Sequence, residues 1–163
     1  MNAPTGSTET GFRLVAVFSP ALQLDVVDAN SPSVAIGKDD QVRIGWDWAW
    51  LEASRVFEVL VTLERSPTVA RPEFVRVSVI GRFEIVNKAT SVQVEEFAHK
   101  NATAILVPYA RQAFTQLTMQ GPYGAQLIPP INVAEAVGRF DPKLATAAKQ
   151  IAARGRGGII SGR

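Results

Sequence analysis

Apolar and polar residues alternate through the first half of the chain, and the period then changes. Phe12, Leu14, Ala16 and Phe18 alternate with Arg13, Val15, Val17 and Ser19, and Leu22, Leu24 and Val26 resume the pattern beyond Pro20. Side chains two apart stand on one face of a strand, so a long strand is predicted over 12–27. Proline cannot donate to a ladder, which puts this strand at a sheet edge or leaves it paired on one side only near Pro20. A stretch rich in Asn, Ser, Pro, Gly and Asp makes 28–40 a loop. The second strand, 41–51, places Val42, Ile44, Trp46, Trp48 and Trp50 on one face, so all three tryptophans point the same way. A third strand, 55–65, aligns Phe57, Val59, Val61 and Leu63, and a fourth, 74–86, aligns Val75, Val77, Val79, Phe83 and Ile85. Gly81 inside the fourth predicts a bulge or the close approach of another backbone.

Beyond Asn87 the spacing becomes helical. A short helix is predicted over 92–99 and a long one over 101–120, with Asn101 as the cap of the second. Leu106, Tyr109, Ala110, Ala113, Phe114 and Leu117 fall on one side of the long helix, while Arg111, Gln112, Thr115 and Gln116 fill much of the other. Pro108 should kink this helix or mark its true first turn. Gly121 suits the left-handed residue after a helix end, and Pro122 prevents continuation. Residues 123–133 are expected to be extended, because Pro129 and Pro130 restrain the residues before them. Asp141 and Pro142 open a last helix that runs to Arg154 with Leu144, Ala147, Ala148 and Ile151 as its apolar stripe. Strands followed by helices predict an α+β fold, a four-stranded antiparallel sheet with the helices on one face. Residues 1–11 read as a disordered polar segment, 12–154 as one domain and 155–163 as a flexible basic tail.

With 163 residues, 47% of them hydrophobic, the chain can bury a substantial core. It contains no cysteine, which excludes a disulfide framework, a thiolate metal site and a cysteine nucleophile. The opening MNAPTGSTETG lacks a basic region followed by an apolar core, so no signal peptide is expected. No apolar run reaches the roughly 18 residues of a membrane span. Together these predict a soluble cytoplasmic protein. Charge is uneven: from Gly138 onward six basic residues face Asp141 alone, a net +5, which leaves −3 for the rest of a chain of net +2. A basic end of this kind suits contact with nucleic acid, anionic lipid or an acidic partner, or simply a solubilising terminus; no nucleic-acid partner is expected.

Candidate chemistry is sparse. His99 is the single histidine and stands beside Lys100, with no carboxylate–serine or metal constellation nearby in sequence. Gly155, Gly157 and Gly158 lack the Lys-Ser/Thr of a phosphate loop. Glu95 and Glu96 are adjacent on a helix and so diverge. No catalytic residue, metal ligand or cofactor site is expected, and the chain is not expected to be an enzyme. What stands out is apolar surface. The tryptophan row can be the core face of its strand or a platform for partner side chains, with Trp48 central and Trp50 near the strand end. The segment 123–133 can pack over its own domain or wall a groove for an extended apolar peptide.

Residues 105–133, ILVPYARQAFTQLTMQGPYGAQLIPPINV, resemble the signature region of the SecB family of bacterial protein-export chaperones. The resemblance rests on PYAR at Pro108 to Arg111, on Gly121 and Tyr123 after the helix, and on the apolar-Pro-Pro-Ile-Asn run from Leu127 to Asn132. The order of four strands, a long helix and a last helix agrees with it. The resemblance implies a homotetramer, a dimer of dimers, that holds unfolded precursor polypeptides without nucleotide and passes them to the translocation ATPase SecA. It implies a client groove that includes Trp48, Trp50, Tyr123, Leu127 and Ile128, with Tyr109, Ala113 and Leu117 at the oligomer contact or in the core. Asp25 falls where the family places one acidic SecA-docking residue. The other acid aligns with Ala21, and the chain ends basic where the family commonly ends acidic. Such departures fit a divergent relative serving a restricted partner, such as an antitoxin.

Overall fold

The computed structural model describes residues 11–27, 41–51, 54–130 and 132. Four strands form one antiparallel sheet in the order β1-β4-β3-β2: β1 is Phe12–Val26, β2 Val42–Leu51, β3 Val56–Arg65 and β4 Glu73–Ile85. The two central strands are the valine-rich hairpin, and the strand with the internal proline takes an edge, as its missing N–H requires. Phe57, Val59, Val61 and Leu63 of β3 and Val75, Val77, Val79, Phe83 and Ile85 of β4 all turn inward and are buried. Val42, Ile44, Trp46, Trp48 and Trp50 of β2 join the same face, so the tryptophan row looks toward the helices.

β1 departs from the simple alternation. Leu14 pairs with Phe83 but Ala16 with Arg82, so Val15 is an extra residue, and a second shift separates Phe18 from Ala21. A one-residue bulge exchanges the two faces of a strand. Phe12 and Leu14 therefore pack on the core, Val17 follows them inward, and Ala16 and Phe18 turn to the outer face, opposite Arg82 and Ile80. The second shift restores the first phase, and Leu22 and Leu24 again lie beside Val77 and Val75.

The helical half is a single rod of three joined parts. α1 (Ser91–Phe97) runs through a π turn (Ala98–Ala102) into α2 (Thr103–Met119). The predicted cap at Asn101 is therefore corrected: Asn101 lies exposed inside the π turn, where the preceding turn already supplies backbone partners. The rod begins instead at Thr90. Its hydroxyl accepts from Gln93 N while the Gln93 side chain accepts from Thr90 N, a reciprocal capping box. Thr103 Oγ1 donates to Ala98 O at 3.0 Å across the wide turn. Pro108 sits well inside α2 rather than at its start.

Gly81 provides the closest approach between the layers. A Cβ there would stand 2.5 Å from Leu106 Cδ2 and 2.9 Å from Phe83 Cε2, so the glycine admits a helix side chain, not a bulge or a backbone. Gly121 is likewise reassigned. The left-handed glycine is Gly124, at φ 74°, whereas Gly121 leaves room for Glu73 Oε2 and Leu24 Cδ1, each 3.1 Å from where its Cβ would be. Nearby, Arg65 Nη2 donates to Glu73 Oε1 at 2.7 Å, with both side chains wholly buried. The predicted helix over 141–154 and the terminal segments 1–10 and 155–163 lie outside the described residues.

Candidate functional site

After Met119 the chain turns at 120–123 and runs back along α2 as an extended strap over 124–130. Tyr123 belongs to the turn, so the extended part starts one residue later than expected. Side chains on the polar side of α2 hold the strap. Arg111 Nε and Nη2 donate to Ile128 O at 3.0 and 2.6 Å, and Thr115 Oγ1 donates to Gln126 O at 3.1 Å. Thr118 Oγ1 accepts from Gln126 N at 2.9 Å. From the sheet side, Arg71 Nη1 donates to Gly124 O at 3.3 Å while also meeting Glu73 Oε1 at 3.4 Å. Arg71 thus links the strap to the buried carboxylate of Glu73. A guanidinium donating twice to one carbonyl is worth more than a neutral pair, so Ile128 is the firmest point of the strap. Its side chain is buried in the core as well.

Between the strap and α2 lies an open groove of about 650 Å³, lined by Pro108, Gln112, Thr115, Gln116, Leu127 and Pro129 among others. The strap side is apolar and Leu127 is 80% exposed. The helix side carries two carboxamides, Gln112 and Gln116, both exposed.

The five residues expected in a client groove are not gathered in one place. Leu127 and Ile128 line the groove; Trp48, Trp50 and Tyr123 are absent from its walls. Trp48 and Trp50 are half-buried against the core, and the neighbouring Trp46 ring packs edge-on against His99, with centroids 3.8 Å apart. Trp50 Nε1 is buried with no hydrogen-bond partner among the described residues. Tyr123 is exposed beside the strap's first residue. Of the residues assigned to an oligomer contact, Ala113 and Leu117 pack on the core and Tyr109 is 44% exposed. Helical spacing places Arg111, Gln112, Thr115 and Gln116 on a polar side without marking the strap-holding roles of Arg111 and Thr115, and Thr118, buried, carries no sequence signal of its own.

Asp25 lies on the outer sheet face of β1, opposite Phe74, and accepts from Gln23 Nε2 at 2.6 Å. Ala21 shares that face, opposite Ser78. Three glutamates there are matched by arginines, and Asp47 of β2 accepts from Trp48 N at 2.8 Å. Glu58 accepts from Arg82 Nε at 3.0 Å, Glu64 from both Arg76 and Arg43, and Glu84 from Arg13. Within α1, Glu96 pairs with Lys100 one turn later at 2.9 Å, and that hydrogen bond and the ammonium charge hold its carboxyl below the usual range. Among the described residues no helix is long and apolar enough to cross a membrane, and no three of His, Cys, Asp and Glu converge as a metal site would require.

No protein-family model matches the chain. An uncharacterized protein of Methanocaldococcus jannaschii is 35% identical over 71 residues, and the match spans 44% of this chain and 45% of that protein. A protein of unknown function from Streptococcus agalactiae superposes with a TM-score of 0.37 at 16% identity over 76% of this chain and 99% of that one, too low to bear on the fold. The SecB-like chaperone of Mycobacterium tuberculosis, solved in complex with a ChAD peptide from the HigA1 antitoxin, superposes with a TM-score of 0.60 at 12% identity, over 74% of this chain and 88% of that one. The fold of this chain is SecB-like.

Proposed function

We propose that this chain is an ATP-independent chaperone that holds unfolded, apolar stretches of other polypeptides. The observation that carries the reading is the open groove, with an exposed apolar wall at Leu127 and a wall position fixed by Arg111, Thr115 and Thr118. A pre-set wall lowers the ordering cost of binding. Each ~100 Å² of apolar surface removed from water adds about 2.5 kcal/mol, so a few client side chains suffice for useful affinity without sequence specificity. Trp48, Trp50 and Tyr123 extend the apolar surface available to a longer client, with Ile128 as the wall's anchor.

A homotetramer, built as a dimer of dimers, raises affinity further by presenting several grooves to one client. Two features support assembly. Edge strand β1 exposes Val15, Phe18, Leu22 and Val26, an apolar edge that a free monomer would leave open to pairing. Tyr109, with Ile105 beside it, leaves apolar area on the outer side of α2, next to Ala113 and Leu117. The function belongs to the cytoplasm and needs no cofactor.

A dedicated partner is favoured over hand-over to SecA. On the outer sheet face Glu58, Glu64 and Glu84 are paired with arginines, and Ala21 stands on the same face four residues before Asp25, which weakens an acidic docking patch on β1. The fold neighbour's antitoxin peptide supports the same choice. Light scattering of an unrelated unfolded protein tests the holdase reading: near-stoichiometric addition of this chain should suppress aggregation, and unchanged aggregation at excess would refute it. Binding of one partner with unfolded clients ignored would select the dedicated role.

A further inference from the structure

Several arginines here meet their acceptors through one edge of the guanidinium. Arg76 and Arg82 turn Nε and Nη2 together to Glu64 and Glu58, and Arg111 turns the same pair to Ile128 O. That edge is a fork that fits the two oxygens of a carboxylate. Arg71 differs. It bonds inward through Nη1 alone, to Glu73 Oε1 and Gly124 O. Its Nε and Nη2 have no partner among the described residues, and neither nitrogen is buried. Charge around it is uneven, because Arg65 and Arg71 share the single carboxylate of Glu73 and leave one positive charge in surplus. Gly124 beside it opens space, since a Cβ there would meet nothing within 4 Å. Val69, two residues before Arg71, and Tyr123 and Ala125, on either side of Gly124, are all exposed.

We propose that Arg71 receives the carboxylate of an acidic side chain in a bound partner segment, with that segment's apolar neighbours against Val69, Tyr123 and Ala125. The carboxylate takes the Nε and Nη2 edge and offsets the surplus charge. Nη1 is already pinned between sheet and strap, so the fork is pre-set and loses little freedom on binding. The site rests on the client-holding reading above and narrows it. An apolar wall accepts any apolar segment, whereas a fixed cation at its start favours segments that carry an acid there. The site also stands clear of the outer stripe of α2. Tyr109 lies about 13 Å back along that helix from Thr118, which holds the strap at Gln126.

Fluorescence anisotropy on the full chain tests the site with two end-blocked, labelled peptides of alternating Leu and Ser, the central Ser replaced by Asp in one and by Asn in the other. The native chain should bind the Asp peptide about two- to tenfold more tightly, and the difference should shrink at high salt. Arg71→Met should bind the two alike. Arg71→Lys, which keeps the charge without the fork, should retain only part of the difference. Circular dichroism checks that both variants fold. A merely structural Arg71 gives another result: a loosened strap weakens both peptides by one factor and leaves their ratio unchanged. If the native chain binds the two peptides equally, or if Arg71→Met keeps the preference, the acid site is wrong and the client-holding reading stands. Should Arg71→Met not fold, an undiminished preference in Arg71→Lys overturns the site in the same way. If neither peptide binds the native chain, site and client-holding reading fall together.

Discussion

Replacing Gly81 with alanine should destabilise the protein through a single contact. The added methyl would sit 2.5 and 2.9 Å from the two Leu106 methyls and 2.9 Å from Phe83 Cε2. Leu106 and Phe83 are both fully buried, so neither can swing into solvent. Overpacking of this kind costs about 1–3 kcal/mol. Alanine lowers the entropy of the unfolded chain relative to glycine and offsets about 0.4–1 kcal/mol. The net loss expected is about 1–2 kcal/mol, or roughly 2–4 °C in Tm for each kcal/mol lost in a chain of this size. Leu106→Ala alone should cost about 2–5 kcal/mol by leaving a cavity. In the double variant the new methyl occupies part of that cavity. The combined loss should therefore fall short of the sum of the singles by at least about 1 kcal/mol. Denaturant unfolding at fixed protein concentration gives all four corners of the cycle. A Gly81→Ala protein as stable as the parent, or a cycle that closes additively, would refute the sheet-to-helix contact as described.

Glu73→Ala should cost about 3–5 kcal/mol by leaving Arg65 charged in the core, with Glu73→Gln milder; thermal unfolding compares them, and equal stability of all three chains would contradict the buried pair. Arg111→Ala should loosen the strap before the domain, losing about 1.5–3 kcal/mol of local protection at 126–128, read by hydrogen exchange against an unchanged β3–β4 hairpin. An NMR titration should find the Glu96 carboxyl below the ordinary range and restored to it in Lys100→Ala. Because folding lowers this value, the pair contributes at neutral pH and is lost as pH falls through it. Static light scattering should give an assembly larger than one chain, and Leu22→Lys with Val26→Lys on edge strand β1 should reduce its size.

The sheet was legible because β2, β3 and β4 obey period two without interruption. β1 was legible as an edge from Pro20, but its faces were not. Val15 and Val17 are both apolar, so the bulge at Val15 leaves no mark in the pattern. Asn101 looked like a helix start because it is polar and short, yet the stronger signal stood earlier, in Thr90 and Gln93. The apolar strap and its groove could be read from Leu127, Pro129 and Pro130. The bonds that fix the strap could not. Those from α2 join residues 8 to 17 positions apart and use side chains that read simply as a helix surface, and the one from Arg71 to Gly124 spans 53 positions. The Arg65–Glu73 pair was hidden for a similar reason: two charges flanking a turn look exposed until the turn folds over them.

The way the strap is tied has a consequence for self-defence. On the proposed holdase reading, a wall that meets aggregation-prone chains risks becoming a seed for them, since any bare extended edge can propagate a sheet. Alternate residues of an extended chain send their backbone groups to opposite sides. Here Gly124, Gln126 and Ile128 turn theirs to Arg71, Thr115, Thr118 and Arg111. Only Ala125 and Leu127 remain to face outward, and Pro129 and Pro130, which have no N–H, end the row. Two residues are too few to template a strand. The surface can be greasy and extended without joining the fibres it would prevent.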